Sequence, residues 1–175
     1  MNRLSMFLVF ACLAPLGAQD GESYPAVTPF ALMKGYVDKE FSIYTGSFES
    51  LKVLDGKLRS ELVASQPSVA TAIATAKQLD AAWAHRQALE ALIQGAKEML
   101  MRTSHQFSPS TYARKFDELN AFITLANHYD QLYVETDRLL RSVEKFFDNH
   151  KISFPPELRR SVLLGSLWHP MRVPF

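Results

Sequence analysis

The chain has one cysteine among its 175 residues, Cys12. A lone thiol excludes an internal disulfide framework and any multi-cysteine zinc or iron–sulfur centre. Glycine is scarce as well: the seven residues are scattered, so no glycine-rich loop can cradle a phosphate. Charge is balanced at 19 Lys+Arg against 18 Asp+Glu, a formal net charge of +1, which gives no global attraction to nucleic acid. No apolar run reaches the roughly 20 residues that span a bilayer, and no segment alternates in polarity as a strand does.

Several reaction chemistries are missing too. The five histidines never fall four residues apart, the spacing that puts two metal ligands on one helix face. The residues three before His85, His128 and His150 are Ala82, Leu125 and Phe147, so no Glu-x-x-His di-iron pattern occurs. No Gly-x-Ser-x-Gly elbow marks a nucleophile. His85 and His128 read as helix-surface residues. No cofactor, no metal and no enzymatic activity are expected from these residues, and nucleic acid is not an expected partner.

What is present begins with the first eighteen residues. Met1-Asn2-Arg3 is a short basic start, Leu4 to Ala14 is apolar apart from Ser5, and Pro15-Leu16-Gly17-Ala18 ends the run before polar Gln19-Asp20. That is the three-part pattern of a cleavable secretory signal peptide, cut after Ala18, and it implies a secreted or periplasmic protein. The alternatives are an uncleaved anchor and acylation at Cys12, against which stands bulky Phe10, two residues before it. Cleavage after Ala18 removes Cys12 and Arg3, leaving 18 basic and 18 acidic residues and no thiol.

Residues 19–28 read as a flexible lead-in, and residues 29–150 as three long helices. Thr28-Pro29 supplies a capping hydroxyl followed by proline at the first helical position. Val37, Phe41, Tyr44, Phe48, Leu51, Asp55, Leu58 and Leu62 then step alternately by four and three, the coiled-coil period, with Asp55 as the one polar member. Tyr44-Thr45-Gly46-Ser47 is the expected place for a kink. Ser65-Gln66-Pro67-Ser68 ends the first segment, with Pro67 expected in the first turn of the next.

Val69 to Arg102 lacks proline, has one glycine and is rich in alanine, the strongest helix former. Ser108-Pro109 repeats the start signal. From Ser110 to Asn149, Leu119, Phe122, Ala126, Tyr129, Tyr133, Leu140, Val143 and Phe147 follow heptad rows with Thr136 as a polar member, and Leu125, Leu132, Leu139 and Phe146 widen the stripe. A wide stripe suits a helix with two neighbours. Asp55/Arg59, Glu98/Arg102 and Asp137/Arg141 have the spacing of surface ion pairs.

The expected fold is therefore all-α: an elongated antiparallel, coiled-coil-like bundle of three long helices. Aromatics crowd the first and third helices while the second carries many alanines, so large side chains are expected to interdigitate over a small-residue helix. Residues 151–175 form a tail with a short helix over Glu157 to Leu167, limited by Gly165 and Pro170.

The tail holds the residues singled out for partner binding: Arg159, Arg160, Trp168, Met171, Arg172 and Phe175. Basic charge beside large apolar side chains is the composition of an interface anchor. It also suits an amphipathic segment at a membrane surface, and the bland alternative is a tail that caps one end of the bundle. The functional expectation is an exported binding, adaptor or scaffold protein with a protein partner. Rival readings are a carrier of a haem or apolar small molecule near Tyr129, Tyr133 and Trp83, and a hydrolase or lytic factor.

Overall fold

The computed structural model describes residues 28–155 and 170–171. Three helices fill most of that span: α1 (Pro29–Val63), α2 (Val69–Arg102) and α3 (Pro109–Asn149), with a single 3-10 turn, Ser104–Gln106, before α3. No strand occurs among the described residues. At about 1.5 Å per residue the rods run roughly 50 to 60 Å. The expected signal peptide, most of the expected lead-in and the short helix expected over residues 157–167 lie outside the described residues.

Each helix starts on the same device. The hydroxyls of Thr28, Ser68 and Ser108 accept from the amides of Ala31, Thr71 and Thr111 at 3.2, 3.5 and 3.3 Å, satisfying one of the amides every helix start leaves bare. Pro67 differs from the expectation. It sits one residue ahead of the Ser68 cap and is buried there, outside the first turn. Glu61 stitches this corner, accepting from the Ser68 amide at 2.9 Å and the Thr71 hydroxyl at 2.8 Å.

Two helix ends share a second device. After α1, the Gln66 amide bonds Glu61 O at 2.9 Å and the Ser65 amide bonds Leu62 O at 3.0 Å, with Ser65 at φ 56°. After α3, Ile152 and Lys151 bond Phe147 O and Asp148 O at 2.8 and 3.2 Å, with Lys151 at φ 55°. These are Schellman closures in which serine and lysine occupy the left-handed position that glycine fills at least cost.

The order is up, down, up. Contacts from α1 to α2 run antiparallel: Glu40 to His85, Ser47 to Gln78 and Glu61 to Thr71. α1 and α3 run parallel, with Tyr44 beside Asp130 and Asp55 beside Thr136. The core follows the seven-residue period: Phe30, Val37, Tyr44, Leu51 and Leu58 from α1, and Leu119, Ala126, Tyr133, Leu140 and Phe147 from α3 are all fully buried. α2 contributes Ala72, Ala76, Ala82 and Ala96 among larger residues. Aromatic rings bridge α1 and α3, with Phe48–Tyr129 centroids at 4.4 Å, Phe41–Phe122 at 4.9 Å and Tyr44–Tyr133 at 5.4 Å. Small residues on α2 beside large ones on its neighbours give the close packing the composition implied.

Three expectations need correction. α1 continues as helix through Tyr44-Thr45-Gly46-Ser47. Gly46 is exposed, and a β-carbon added there would meet no other atom within 4 Å beyond its own helix backbone; the buried side chains of Tyr44 and Leu51 on either side hold the rod together. In α3 the supposed wider stripe is only partly interior: Leu132, Leu139 and Phe146 are half-buried, and Leu125 is exposed. The ion pairs expected at the surface are not all there, because Asp55 and Asp137 are buried.

Candidate functional site

Halfway along the bundle, all three helices contribute to one buried polar layer. The Tyr44 hydroxyl donates to Asp130 Oδ1 at 2.6 Å, and Arg86 Nε donates to Asp130 Oδ2 at 3.3 Å. Arg86 Nη1 also bonds Glu90 Oε2, one turn on. Tyr133 closes the layer by donating to the Tyr44 carbonyl at 3.2 Å. Arg86 is almost wholly buried and Asp130 nearly so; a charge taken that far from water requires a paired and hydrogen-bonded partner. Burial, reinforced by the Asp130 charge, pushes the Tyr44 and Tyr133 phenols well above the usual tyrosine value.

A second polar contact lies about three turns further along α1, towards its C-terminus. Thr136 donates to Asp55 Oδ1 at 2.8 Å, and Arg59 Nε donates to Asp55 Oδ2 at 2.6 Å. Asp55 thereby holds the Arg59 guanidinium still more firmly protonated. At the other end, Lys97 is buried between α2 and α3, bonded to Asn120 Oδ1 at 2.8 Å and lying 5.0 Å from the Phe116 ring centre. Burial lowers its pKa. His85 reaches across to Glu40 Oε1 at 2.7 Å, while His128 is exposed.

Asp130 also borders the surface. With Asn127, Gln131, Val134, Glu135, Arg138 and Pro170 it lines an open groove of about 310 Å³ along α3. Met171 is seated beside it. Its amide donates to Asn127 Oδ1 at 2.7 Å, Asn127 Nδ2 donates back to its carbonyl at 3.1 Å, and its side chain is 3% exposed. Of the residues named for partner binding, Met171 alone is described; Arg159, Arg160, Trp168, Arg172 and Phe175 lie outside the described residues. Contact between a partner and Met171 requires this seat to open.

The outer surface of α1 carries a different feature. Leu32, Tyr36 and Ile43 are 50, 57 and 39% exposed, and at 100° per residue they fall within about 40° of arc. One residue from Leu32, Met33 joins Ala91, Leu92, Gly95 and Met99 in a groove of about 340 Å³ rimmed by Glu98 and Arg102. Gly95 permits this approach: a β-carbon there would meet Met33 Cε at 2.9 Å.

The residues named for an apolar-ligand carrier are used in packing. Tyr129 lies against Phe41, Tyr44 and Phe48, Tyr133 is fully buried, and Trp83 is half-buried at the core edge. No three His, Cys, Asp or Glu side chains converge on a metal position among the described residues. Among those residues no helix is long and apolar enough to cross a membrane. Arg86, Lys97, Asp130 and Asn127 carried no signal in sequence. Comparison of the chain with protein-family models, with curated proteins and with solved structures gives no match.

Proposed function

We propose that this chain is an exported helical bundle that binds another protein, as an adaptor or scaffold, through its outward helix faces and C-terminal tail. The observation that carries the reading is the row of Leu32, Tyr36 and Ile43 on the outside of α1. An exposed helix face is ordinarily polar, and apolar residues lined up there mark a contact surface rather than scattered surface variation. The neighbouring groove of Met33, Leu92 and Met99 adds flexible, polarizable side chains suited to an apolar partner. The N-terminal pattern, basic then apolar then small, supports export with cleavage after Ala18.

The test is affinity capture from the exported fraction with the chain from Gln19, followed by sizing of the complex. A variant carrying Leu32→Ser, Tyr36→Ser and Ile43→Ser is expected to keep its helical circular-dichroism signal and lose the partner. Retention of every partner by that variant overturns the role of α1. Recovery of the intact precursor from the cytosol overturns export.

A further inference from the structure

Asn127 stands in the middle of α3, where asparagine is a poor helix former. Both of its polar atoms go to one residue 44 positions away, the Met171 backbone, as acceptor at 2.7 Å and donor at 3.1 Å. A reciprocal pair of this kind satisfies both main-chain groups of an extended residue, as a neighbouring strand would. It reads backbone, and so it serves any extended segment whose clamped residue has an N–H. Selection is left to the apolar seat that takes the Met171 side chain, and to the groove wall at Pro170, formed with Asp130, Gln131, Val134, Glu135 and Arg138.

The resident segment belongs to the same chain. Phe154, buried and stacked on Phe147, lies 17 positions before Met171 in the chain. As an occupant from the same chain, Met171 holds the seat at an effective concentration that a free competing segment must overcome.

We propose that this seat on α3 is a peptide-docking site, filled in the resting chain by Pro170-Met171 and exchanged for an extended partner segment with proline followed by a large unbranched apolar residue. The inference rests on the reading of this protein as a partner-binding one and assigns that role to a face other than the α1 row.

The experiment uses the full mature chain and a labelled peptide of residues 168–175, followed by fluorescence anisotropy. Weak binding to the unaltered chain is expected, at least tenfold tighter binding to the Met171→Glu chain, whose own tail no longer competes, and at least tenfold loss when Asn127→Leu is added. A peptide N-methylated at the methionine amide lacks the donor that Asn127 accepts. Measured against one folded protein, it is expected to bind at least tenfold more weakly than its parent.

Equal binding of the methylated and parent peptides overturns the clamp. Absence of binding to a Met171→Glu chain of unchanged helicity overturns the exchange. Concentration-dependent dimers of the unaltered chain, abolished by Asn127→Leu, would make a second copy the occupant and overturn the partner peptide. None of these results touches the α1 triple variant, so failure here is distinguishable from failure of partner binding through α1.

Discussion

The Thr136 hydroxyl donates to Asp55 Oδ1 at 2.8 Å across the α1–α3 interface. The one polar residue in the apolar row of α1 therefore faces the polar member of the row on α3. Arg59 holds the other carboxylate oxygen at 2.6 Å, and Glu135 lies 3.8 Å from the same guanidinium. Such a pair fixes register, because sliding α3 along α1 by one turn would place a buried carboxylate against hydrocarbon.

Thr136→Val is expected to cost about 1–3 kcal/mol, since it leaves Asp55 Oδ1, in a buried residue, with only the longer bond from Arg59 Nη2 at 3.3 Å. Asp55→Leu combined with Thr136→Val should recover much of that loss, giving a coupling of roughly 0.5–3 kcal/mol in a double-mutant cycle. Urea unfolding monitored by circular dichroism reads both. Simple additivity of the two substitutions would contradict the contact.

Tyr44 and Tyr133 have folded-state pKa values raised by burial and by Asp130. At pH values above about 10, tyrosines in the unfolded chain release protons that these two retain. The unfolded state then binds fewer protons, so their contribution to stability is complete below pH 10 and declines as pH rises above it. Phenolate absorbance from these two residues should appear together with loss of helicity. In Tyr44→Phe the alkaline slope should be shallower, and an identical slope would refute the burial of this phenol.

The positions of glycine allow a reciprocal test. Gly46 and Gly56 lie inside α1 with open space where a β-carbon would sit, so alanine at either should stabilise by about 0.5–1 kcal/mol. Ser65 and Lys151 lie at positive φ, and glycine at either should also stabilise, by up to about 1 kcal/mol. Gly95→Ala should gain less than Gly46→Ala because the new methyl must displace Met33 Cε from 2.9 Å. Thermal melts of the five variants rank these effects directly.

Leu140 is in the core and Leu125 is 44% exposed. Leu140→Asp should collapse the helical signal, as an unpaired carboxylate in the core does. Leu125→Asp should fall within about 0.5 kcal/mol of the parent, the usual range for a surface change. Leu132, half-buried, belongs between them. Equal damage from Leu140→Asp and Leu125→Asp would mean that the buried face of α3 lies elsewhere.

Much of the architecture was legible in the order of residues. Thr28-Pro29 and Ser108-Pro109 announce helix starts that are found in place, because the physics of a cap is local: a hydroxyl, a fixed φ and the amides of the next turn. The seven-residue rows of α1 and α3 mark their buried faces for the same reason, since one helix's own geometry decides which residues share a side. The alanine content of α2 likewise foretells its role between larger neighbours.

The charged interior was not legible, and neither was the seat of the tail. Nothing local distinguishes Arg86 or Asp137 from a solvated residue. Arg86 is tolerated inside because Asp130, 44 residues away, arrives opposite it with Tyr44 completing the shell. Asn127 likewise looks like an unfavoured residue in a helix until Met171 comes to rest on it.

The amino-acid order by itself determined three capped helices, their apolar faces and a leader-like N-terminus, because each depends on neighbours within a turn or two. Only the tertiary structure decided which charges lie inside and what the tail touches. The reason is energetic: a buried polar group is stable or ruinous according to the partner it meets, and that partner comes from another helix.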